Sequence, residues 1–546
     1  MGAELIEAGT EIKDASPASV WETNGGIYLG LTVEGGTNQE RPLAGKNKDP
    51  SIPRDARYRS TWEPGGGFHR YEGEGHVMAV GPHGCGKSRK LFMSNLFKLR
   101  DWSCIVIDPK GELCAYTAVE RKSCKGHKVY VIDPFKVIET NYPHLFAKHP
   151  DLFKSRGFNP LADLNPDKPS FIDDAKALAM ALIQSDDARD PYWPMAAQAL
   201  AKGLAMVLRL DKPGKSDSLA VFRDYLGLKP QQFAEFIDAD IKRLGKKWPA
   251  VAASLGEFAT HSPDDKELGG IRRTAKTQTD WLDSPLIRAD LSQKNVIDFE
   301  SFKTTPQTCY LILPPEQLVT HGVWLRLMVT AALRPLLRSV ERSPVPVLFM
   351  LDEIAQMGRM AMIENNIAQM RGFGVKLWTV WQHVEQMKKI YKDAWADFMA
   401  LSQAKITFTA EDAETREYFS KLGGERLFKH TTRSLSRTQS QGGNSGYNSG
   451  NSTPHNAPGG LGRSINQGRA SGENWGSSVN DTVGEQWINE RCVRPHELAA
   501  LDADEALIFA RRGEMHRAIC PQPEVIARKQ IQQARLAITG ATKAPA

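Results

Sequence analysis

A lysine and a serine that follow closely spaced glycines are the residues of this sequence best suited to chemistry. Residues 81–88 read Gly-Pro-His-Gly-Cys-Gly-Lys-Ser and fit the pattern G-x-x-x-x-G-K-[ST]. In such a loop the backbone N–H groups surround the phosphates of a nucleotide, and the lysine adds a positive charge beside the β- and γ-phosphates. The serine hydroxyl is a ligand for Mg²⁺. The pattern therefore predicts a site for ATP and Mg²⁺.

We predict that most of this loop, and the residue after it, bind the nucleotide. The predicted set is Gly81, Gly84, Cys85, Gly86, Lys87, Ser88 and Arg89. The glycines allow the tight backbone that a side chain would block. Cys85 is either a reactive thiol of the loop or a small residue that fills space. Lys87 is also predicted to act in catalysis, and Ser88 to ligate the metal.

A pair of carboxylates follows an apolar run much later in the chain. Residues 345–351 read Val-Pro-Val-Leu-Phe-Met-Leu, and Asp352 and Glu353 come directly after them, in the form of a Walker B element. Asp352 is predicted to hold Mg²⁺, and Glu353 to orient and deprotonate the attacking water. An apolar strand that ends in Asp-Glu occurs in many proteins, so this prediction depends on the glycine loop upstream.

Two more candidate residues flank another predicted strand. Gln382 follows the run that ends at Trp381, where it suits a sensor of the γ-phosphate or of water. Arg371 lies in the turn before that run. It is either a cation at a helix C-terminus or an arginine finger that reaches a neighbouring subunit, which can raise a rate by about 10³ to 10⁵. The residues alone leave both interpretations of Arg371 open.

These residues need a sheet to bring them together. A short apolar run, 77–80, precedes the glycine loop, and apolar residues at helical spacing follow it over 89–100. Further apolar runs each end in Asp-Pro, at Asp108 and Asp133. Such runs are typical of a parallel sheet covered by helices on both faces, whose ligands bind at the carboxyl ends of the strands. Asp108 is either near the nucleotide or a cap of its strand.

The chain is too long for one simple core, and its patterning changes several times. Helical periodicity over 171–291 predicts an inserted all-α domain. The segment 431–484 is rich in Ser, Gly and Asn and is predicted to be flexible. The predicted divisions are an N-terminal lead-in with short strands (1–75), a motor domain in three parts (76–170, 292–430 and 485–520), the all-α insertion (171–291), the flexible segment (431–484) and a C-terminal tail (521–546).

Composition sets only broad limits on function. The 546 residues are 41% hydrophobic and 25% charged, with a formal net charge of +6. A mildly basic chain is compatible with nucleic acid or an anionic membrane, and equally with neither. Seven cysteines without a C-x-x-C pair indicate a reducing compartment and no metal site beyond nucleotide-bound Mg²⁺. No signal peptide or membrane-spanning run is predicted.

Taken in order, the motifs resemble those of the VirD4/TraG-type coupling ATPases of conjugation and type IV secretion. The resemblance covers most of the chain from Trp62 to about Ala518. Besides the glycine loop, it includes Asp108-Pro-Lys-Gly-Glu112, Gly157-Phe-Asn-Pro-Leu161, Asp190-Pro-Tyr-Trp193, Leu311-Ile-Leu-Pro-Pro315, Leu351-Asp-Glu353, Arg371 with Gln382, and Arg494-Pro-His-Glu-Leu498.

The resemblance implies a RecA-like P-loop motor, α/β in class, with the all-α domain inserted between its Walker motifs. It also implies a ring, usually a homo-hexamer, that engages a relaxase and single-stranded DNA and delivers them to type IV secretion channel components. The arginine-finger role of Arg371 depends chiefly on this resemblance. The family usually begins with transmembrane helices, so we expect a separate membrane-anchor protein to hold this chain at the inner face of the cytoplasmic membrane.

Two other functions stay open on the sequence alone. One is an adaptor that recruits protein effectors to a secretion system and uses ATP as an assembly switch. The other is an FtsK-like translocase of double-stranded DNA. Protein capture without DNA would favour the adaptor, and a steep salt dependence of DNA binding would favour a DNA motor.

Overall fold

One large sheet organises the computed structural model of this chain, which describes residues 12–15, 26–33, 64–185, 190–210, 218–260, 265–338, 343–440, 476–510 and 515–540. The strands of the described residues are β1 (Ile12–Ala15), β2 (Ile27–Val33), β3 (Pro64–Tyr71), β4 (His76–Val80), β5 (Ser103–Ile107), β6 (Lys128–Ile132), β7 (Gln307–Leu311), β8 (Val347–Leu351), β9 (Val375–Trp381), β10 (Ser402–Thr407), β11 (Glu425–Ser440), β12 (Gly476–Arg491), β13 (Glu505–Phe509) and β14 (Met515–Ile519). Within that part of the chain, 12 strands form the sheet in the order β1-β3-β2-β14-β13-β10-β4-β9-β8-β5-β7-β6.

The half of the sheet from β10 to β6 is parallel throughout. Every residue of β4, β5, β7 and β8 is buried, as expected for strands covered on both faces. Alternate residues enter different cores: Ile105 and Ile107 pack on one face, and Cys104 and Val106 on the other. The parallel order brings the carboxyl ends of β4, β9, β8 and β5 to one edge of the sheet.

Helices cover both faces of this sheet. In chain order they are α1 (Ser94–Lys98, preceded by the π-helical turn Ser88–Met93), α2 (Glu112–Ser123), α3 (Val137–Asn141), α4 (Pro143–Lys148), α5 (Pro150–Phe153), α6 (Phe171–Leu182), α7 (Tyr192–Leu210), α8 (Leu219–Gly227), α9 (Pro230–Leu244), α10 (Pro249–Thr260), α11 (Lys266–Gln278), α12 (Pro285–Leu291), α13 (Pro315–Leu336), α14 (Ala361–Met370), α15 (Val384–Tyr391), α16 (Trp395–Leu401), α17 (Ala413–Leu422), α18 (Pro495–Leu498), α19 (Pro523–Ile526) and α20 (Arg528–Thr539). No helix among the described residues combines the length and apolar character needed to cross a membrane.

The described residues between 171 and 291, a segment predicted to be helical, form α6 to α12 and pack on one face of the sheet. Helix α6 lies against α13, the helix that follows β7. Leu182 and Leu204 share a core cluster with Leu333 of α13 and with Phe349 of β8. The helical block is therefore continuous with the core beneath the acidic pair that follows β8.

The described parts of the predicted N-terminal lead-in belong to the sheet. Strand β2 pairs with β3 and with β14, so residues 26–33 connect the N-terminal region to the end of the motor. Ile27, Tyr28 and Leu29 are buried. The short strands predicted for the lead-in are therefore present at Ile27–Val33, and this pairing joins them to segments that are distant in sequence.

The prediction of a flexible segment over 431–484 is wrong at both of its ends. Strands β11 and β12 pair in register from Glu425↔Arg491 to Ser440↔Gly476, and they form a separate two-stranded sheet. Backbone hydrogen bonds build this ladder whatever the side chains are, which is why polar composition misled the prediction. Residues 441–475, in the middle of the predicted segment, lie outside the described residues.

Candidate nucleotide-binding and hydrolysis site

The glycine loop begins where β4 ends. The N–H of Gly81 donates to the Trp381 carbonyl oxygen at 3.1 Å, which ties the start of the loop to the end of β9. Gly84 and Gly86 both have a φ of +85°, which L-residues with a side chain rarely adopt. A Cβ at Gly86 would also lie 3.0 Å from Cε of Lys90. The loop conformation therefore requires glycine at these two positions.

The ammonium of Lys87 lies inside the curve of this loop. Nζ donates to the carbonyl oxygens of Gly81 at 2.6 Å and Pro82 at 2.7 Å, and the residue is 7% exposed. The same Nζ is 3.7 Å from Sγ of Cys85, a half-buried thiol. The loop thus holds a nearly buried positive charge at its centre, where an anion would be bound most strongly.

Ser88 and Asp352 are in direct contact although 264 residues separate them. The Ser88 hydroxyl donates to Oδ2 of Asp352, the first residue after β8. The parallel order of β4, β9 and β8 brings the two together at the carboxyl edge of the sheet. Hydroxyl and carboxylate oxygens are ligands that Mg²⁺ prefers, so this pair fits the predicted metal site.

Burial raises the pKa of Asp352 to about 6. The hydrogen bond from Ser88 opposes this rise, the nearby Glu353 carboxylate adds to it, and the Lys87 charge opposes it. The carboxylate is therefore costly to ionise by itself, and a bound cation would stabilise it. The influence of Lys87 also indicates that the loop lysine lies near this carboxylate.

Glu353 occupies a strained position beside the glycine loop. Its φ is +56°, uncommon for a residue with a side chain. Its Oε2 accepts a hydrogen bond from Nε2 of Gln382 at 3.2 Å. Its Oε1 is 3.8 Å from Nδ1 of His83, an exposed residue of the loop. The structure therefore brings Glu353 and Gln382 together at the loop, as residues that hold a water molecule would have to be.

His83 is a candidate residue that the sequence analysis did not select. It occupies one of the variable positions of the glycine pattern, so the motif gives no signal for it. Sequence reasoning could have selected His83 only by knowing that Glu353, the second residue after β8, faces the loop.

The guanidinium of Arg89 does not join this cluster. It forms ion pairs with Glu112 at the start of α2 and with Glu524 in α19, at 2.5 and 2.7 Å. The guanidinium also lies 5.7 Å from the centre of the Tyr116 ring. Only the backbone N–H of Arg89 then remains for a nucleotide, and that contact stays a prediction.

Arg371 lies at the opposite edge of the sheet from the glycine loop. It begins the turn before β9, whereas Gln382 follows the end of that strand. A strand of this length spans about 20 Å. Burial lowers the pKa of His76, the first residue of β4, and the Arg371 charge lowers it further, which places Arg371 near the amino end of that strand. Arg371 is therefore about one strand length from the glycine loop of its own chain, and it lies directly after α14, where a cation at a helix C-terminus would be.

Asp108 caps a helix. It follows β5, and its Oδ2 accepts the N–H of Cys114 in α2 at 2.7 Å. Burial raises its pKa to about 7, the hydrogen bonds from Cys114 and Leu113 oppose the rise, and the Asp352 charge adds to it. Asp108 thus stabilises the start of α2 and lies electrostatically close to the site.

Comparisons with known proteins find one matching family model and several relatives. Residues 30–453 match the family model described as type IV secretory system conjugative DNA transfer. The conjugal transfer protein TraG of Escherichia coli is 23% identical over 387 residues, which are 66% of this chain and 56% of TraG. Protein VirD4 of Rhizobium radiobacter is 23% identical over 370 residues, which are 66% of this chain and 50% of VirD4. The chain thus spans about half the length of these relatives.

Solved structures of the plasmid coupling protein TrwB share the fold. The complex of TrwB with ADP and Mg²⁺ has a TM-score of 0.54 at 13% identity, covering 82% of this chain and 85% of TrwB. The complex with a non-hydrolysable GTP analogue has a TM-score of 0.55 at 13% identity, with the same coverage. The predicted RecA-like P-loop fold is thereby confirmed.

Proposed function

The chain belongs to the type IV secretory system conjugative DNA transfer family, and from this premise we propose that it is an ATP-hydrolysing coupling protein. In this proposal it recruits a relaxase bound to single-stranded DNA and drives their transfer into a secretion channel. The observation that carries the proposal is the contact of Ser88 with Asp352, beside a glycine loop that encloses Lys87. The TrwB complexes with nucleotides and Mg²⁺ support ATP and Mg²⁺ as its cofactors.

Each residue of the cluster has a distinct task in hydrolysis. The loop N–H groups and Lys87 would hold the phosphates, and Ser88 and Asp352 would hold Mg²⁺, which would neutralise charge on the phosphate oxygens. Glu353 would take the proton of the attacking water, since its carboxylate faces the loop. Gln382 holds one oxygen of that carboxylate, which leaves the other for the water.

Arg371 would complete the site of a neighbouring copy. It is exposed at the amino edge of the sheet, about one strand length from the glycine loop of its own chain. A ring in which the amino edge of one copy faces the carboxyl edge of the next would bring the two together. We place this ring, a hexamer by analogy with the family, at the inner face of the cytoplasmic membrane beside the secretion channel.

The test is turnover by the purified chain with single-stranded DNA. We expect Mg²⁺-dependent ATP hydrolysis that single-stranded DNA stimulates more than duplex DNA does, and that Lys87→Ala abolishes. The removal of Lys87 would take a charge from the phosphates without touching β8. No hydrolysis by the unsubstituted chain, with DNA present and at concentrations that allow assembly, would refute the proposal. Stimulation by duplex DNA alone would instead favour a double-stranded DNA translocase.

A further inference from the structure

The turn that follows Glu353 is fastened to the inserted helical block. After Glu353 the chain forms the 3₁₀ turn Ile354–Met357 and then reaches Gly358, whose φ is +67°. A non-glycine residue at positive φ, as at Glu353, persists only where its surroundings hold it. The contacts that hold this turn therefore decide where the Glu353 carboxylate lies.

Gln184, just after the end of α6, makes the first of these contacts. Its Nε2 donates to the carbonyl oxygen of Arg359 at 3.0 Å. The backbone of Gln184 is fixed from the other side by Gln278 at the end of α11. The Gln278 Oε1 accepts the Gln184 N–H at 2.6 Å, and its Nε2 donates to the Gln184 carbonyl at 2.9 Å. A continuous set of hydrogen bonds thus runs from α11 to the turn.

Arg326 of α13 makes the second contact. It is 4% exposed, and its Nε donates to the carbonyl oxygen of Ala181 in α6 at 2.8 Å. Its Nη1 donates to the carbonyl oxygen of Met357, in the turn, at 2.9 Å. One buried guanidinium therefore joins the helical block to the residues after Glu353. Hydrogen bonds from a charged donor in such a setting are among the stronger ones.

Two glycines let the turn lie close against its partners. A Cβ at Gly358 would be 2.9 Å from Nε2 of Gln184. A Cβ at Gly322 in α13 would be 2.3 Å from the carbonyl oxygen of Gln356. A cavity of about 180 Å³ lies alongside, with Gln184, Arg326 and Arg359 in its lining. Ile183 of the block and Met357 of the turn also share a core cluster, so apolar packing and these hydrogen bonds together connect the block to the turn.

We propose that Gln184 and Arg326 are positioning residues, through which the inserted helical block sets where the Glu353 carboxylate lies. The proposal rests on the proposed function, in which Glu353 takes a proton from water. If a ligand on the helical block displaced α6 or α11, Gln184 would be displaced with them. The turn would then move, because Gln184 is hydrogen-bonded to it. Since a misplaced catalytic group slows a reaction without weakening substrate binding, the block would control turnover and leave nucleotide affinity unchanged.

The experiment compares Gln184→Met with Gln198→Met in the full chain. Methionine has the length of glutamine and a similar, slightly larger volume, but it cannot donate a hydrogen bond. Gln198 is a matched control, because it lines the same cavity and its Nε2 donates to the carbonyl oxygen of Ile183 at 2.7 Å. That bond stays within the helical block. Arg326 is left intact because its removal would expose buried carbonyls and could prevent folding.

We expect kcat to fall about three- to tenfold in Gln184→Met, with KM and the affinity for an ATP analogue unchanged. Gln198→Met should behave as the unsubstituted chain. Hydrogen exchange without nucleotide gives a second readout, in which amides of residues 354–358 lose protection in Gln184→Met but not in Gln198→Met. Gln278→Met should change both readouts in the same direction, by loosening Gln184.

Three outcomes overturn the proposal: unchanged exchange at 354–358 in Gln184→Met, equal effects of Gln184→Met and Gln198→Met, or an unchanged kcat in a chain that hydrolyses ATP. The failure of the proposed function looks different. If the unsubstituted chain shows no hydrolysis but exchange at 354–358 still responds to Gln184→Met and not to Gln198→Met, the helical block still holds the turn and only the catalytic role of the site is refuted.

Discussion

The raised pKa of Asp352 predicts that Mg²⁺ binding depends on pH in an unusual range. A metal ligand must be deprotonated, so a proton competes with Mg²⁺ for this carboxylate. With a pKa of about 6, roughly nine tenths of the side chain is ionised at pH 7 and roughly one tenth at pH 5. The apparent affinity for Mg²⁺ should therefore reach its maximum above pH 7. It should fall about tenfold between pH 7 and pH 5. If the carboxyl had the ordinary pKa of 3.8, the apparent Mg²⁺ affinity would fall by less than about a tenth over the same range.

The assay is a titration of Mg²⁺ against the chain and a non-hydrolysable ATP analogue, at steps from pH 5 to pH 8. The terminal phosphate of the nucleotide also takes up a proton near pH 6. Its contribution is removed by measuring Mg²⁺ binding to the free analogue in the same buffers. Asp108→Asn is the matched control, because Asp108 is also buried, with a pKa of about 7, but bonds the start of α2.

We expect the midpoint near pH 6 to persist in Asp108→Asn. A corrected Mg²⁺ affinity that stays flat between pH 5 and pH 7 would mean that Asp352 is not the ligand, or that its burial does not raise its pKa. If the pH dependence of Mg²⁺ affinity disappeared in Asp108→Asn, the titrating group would be Asp108 and not Asp352. Either result would refute the assignment of a raised pKa to a metal-binding Asp352.

Four further predictions concern the same elements. Glu353→Gln should bind nucleotide normally but hydrolyse it about 10² to 10⁴ times more slowly, because a glutamine cannot take a proton from water. Normal turnover in a steady-state assay would contradict this prediction. Arg371→Ala should be inactive alone but regain turnover when mixed with inactive Lys87→Ala, since neighbouring copies would then form composite sites; no recovery in assembled mixtures would argue against a role in trans. Gly86→Ala should lower the free energy of unfolding by about 1 to 2 kcal/mol, which is the cost of a positive φ for a residue with a side chain. Denaturant unfolding measures this loss, and titration with an ATP analogue should show a lower nucleotide affinity. Arg121→Met should lower the free energy of unfolding by about 3 to 5 kcal/mol, because the buried carbonyl oxygens of residues 96, 99 and 102 would lose their donor. A loss below about 1 kcal/mol in denaturant unfolding would show that these carbonyls find other partners.

The sequence by itself was sufficient for those features that depend on adjacent residues. The glycine loop was recognisable because positive φ at two positions and a following lysine are local requirements, and the structure has φ of +85° at both Gly84 and Gly86. The strands β4, β5 and β8 were recognisable because burial on both faces favours a largely apolar run. The ladder of β11 and β12 was missed, since polar strands leave no such run.

Tertiary structure alone decided which of the candidate residues meet. Ser88 contacts Asp352 because β9 lies between β4 and β8, and no local pattern specifies that order. The guanidinium of Arg89 is bound by Glu524, which lies 435 residues later. Arg371 and Gln382 flank one strand, so its length separates them although they are close in sequence. Backbone and side-chain preferences act over a few residues, whereas strand order is set by the packing of the whole chain, and the site is a product of that order.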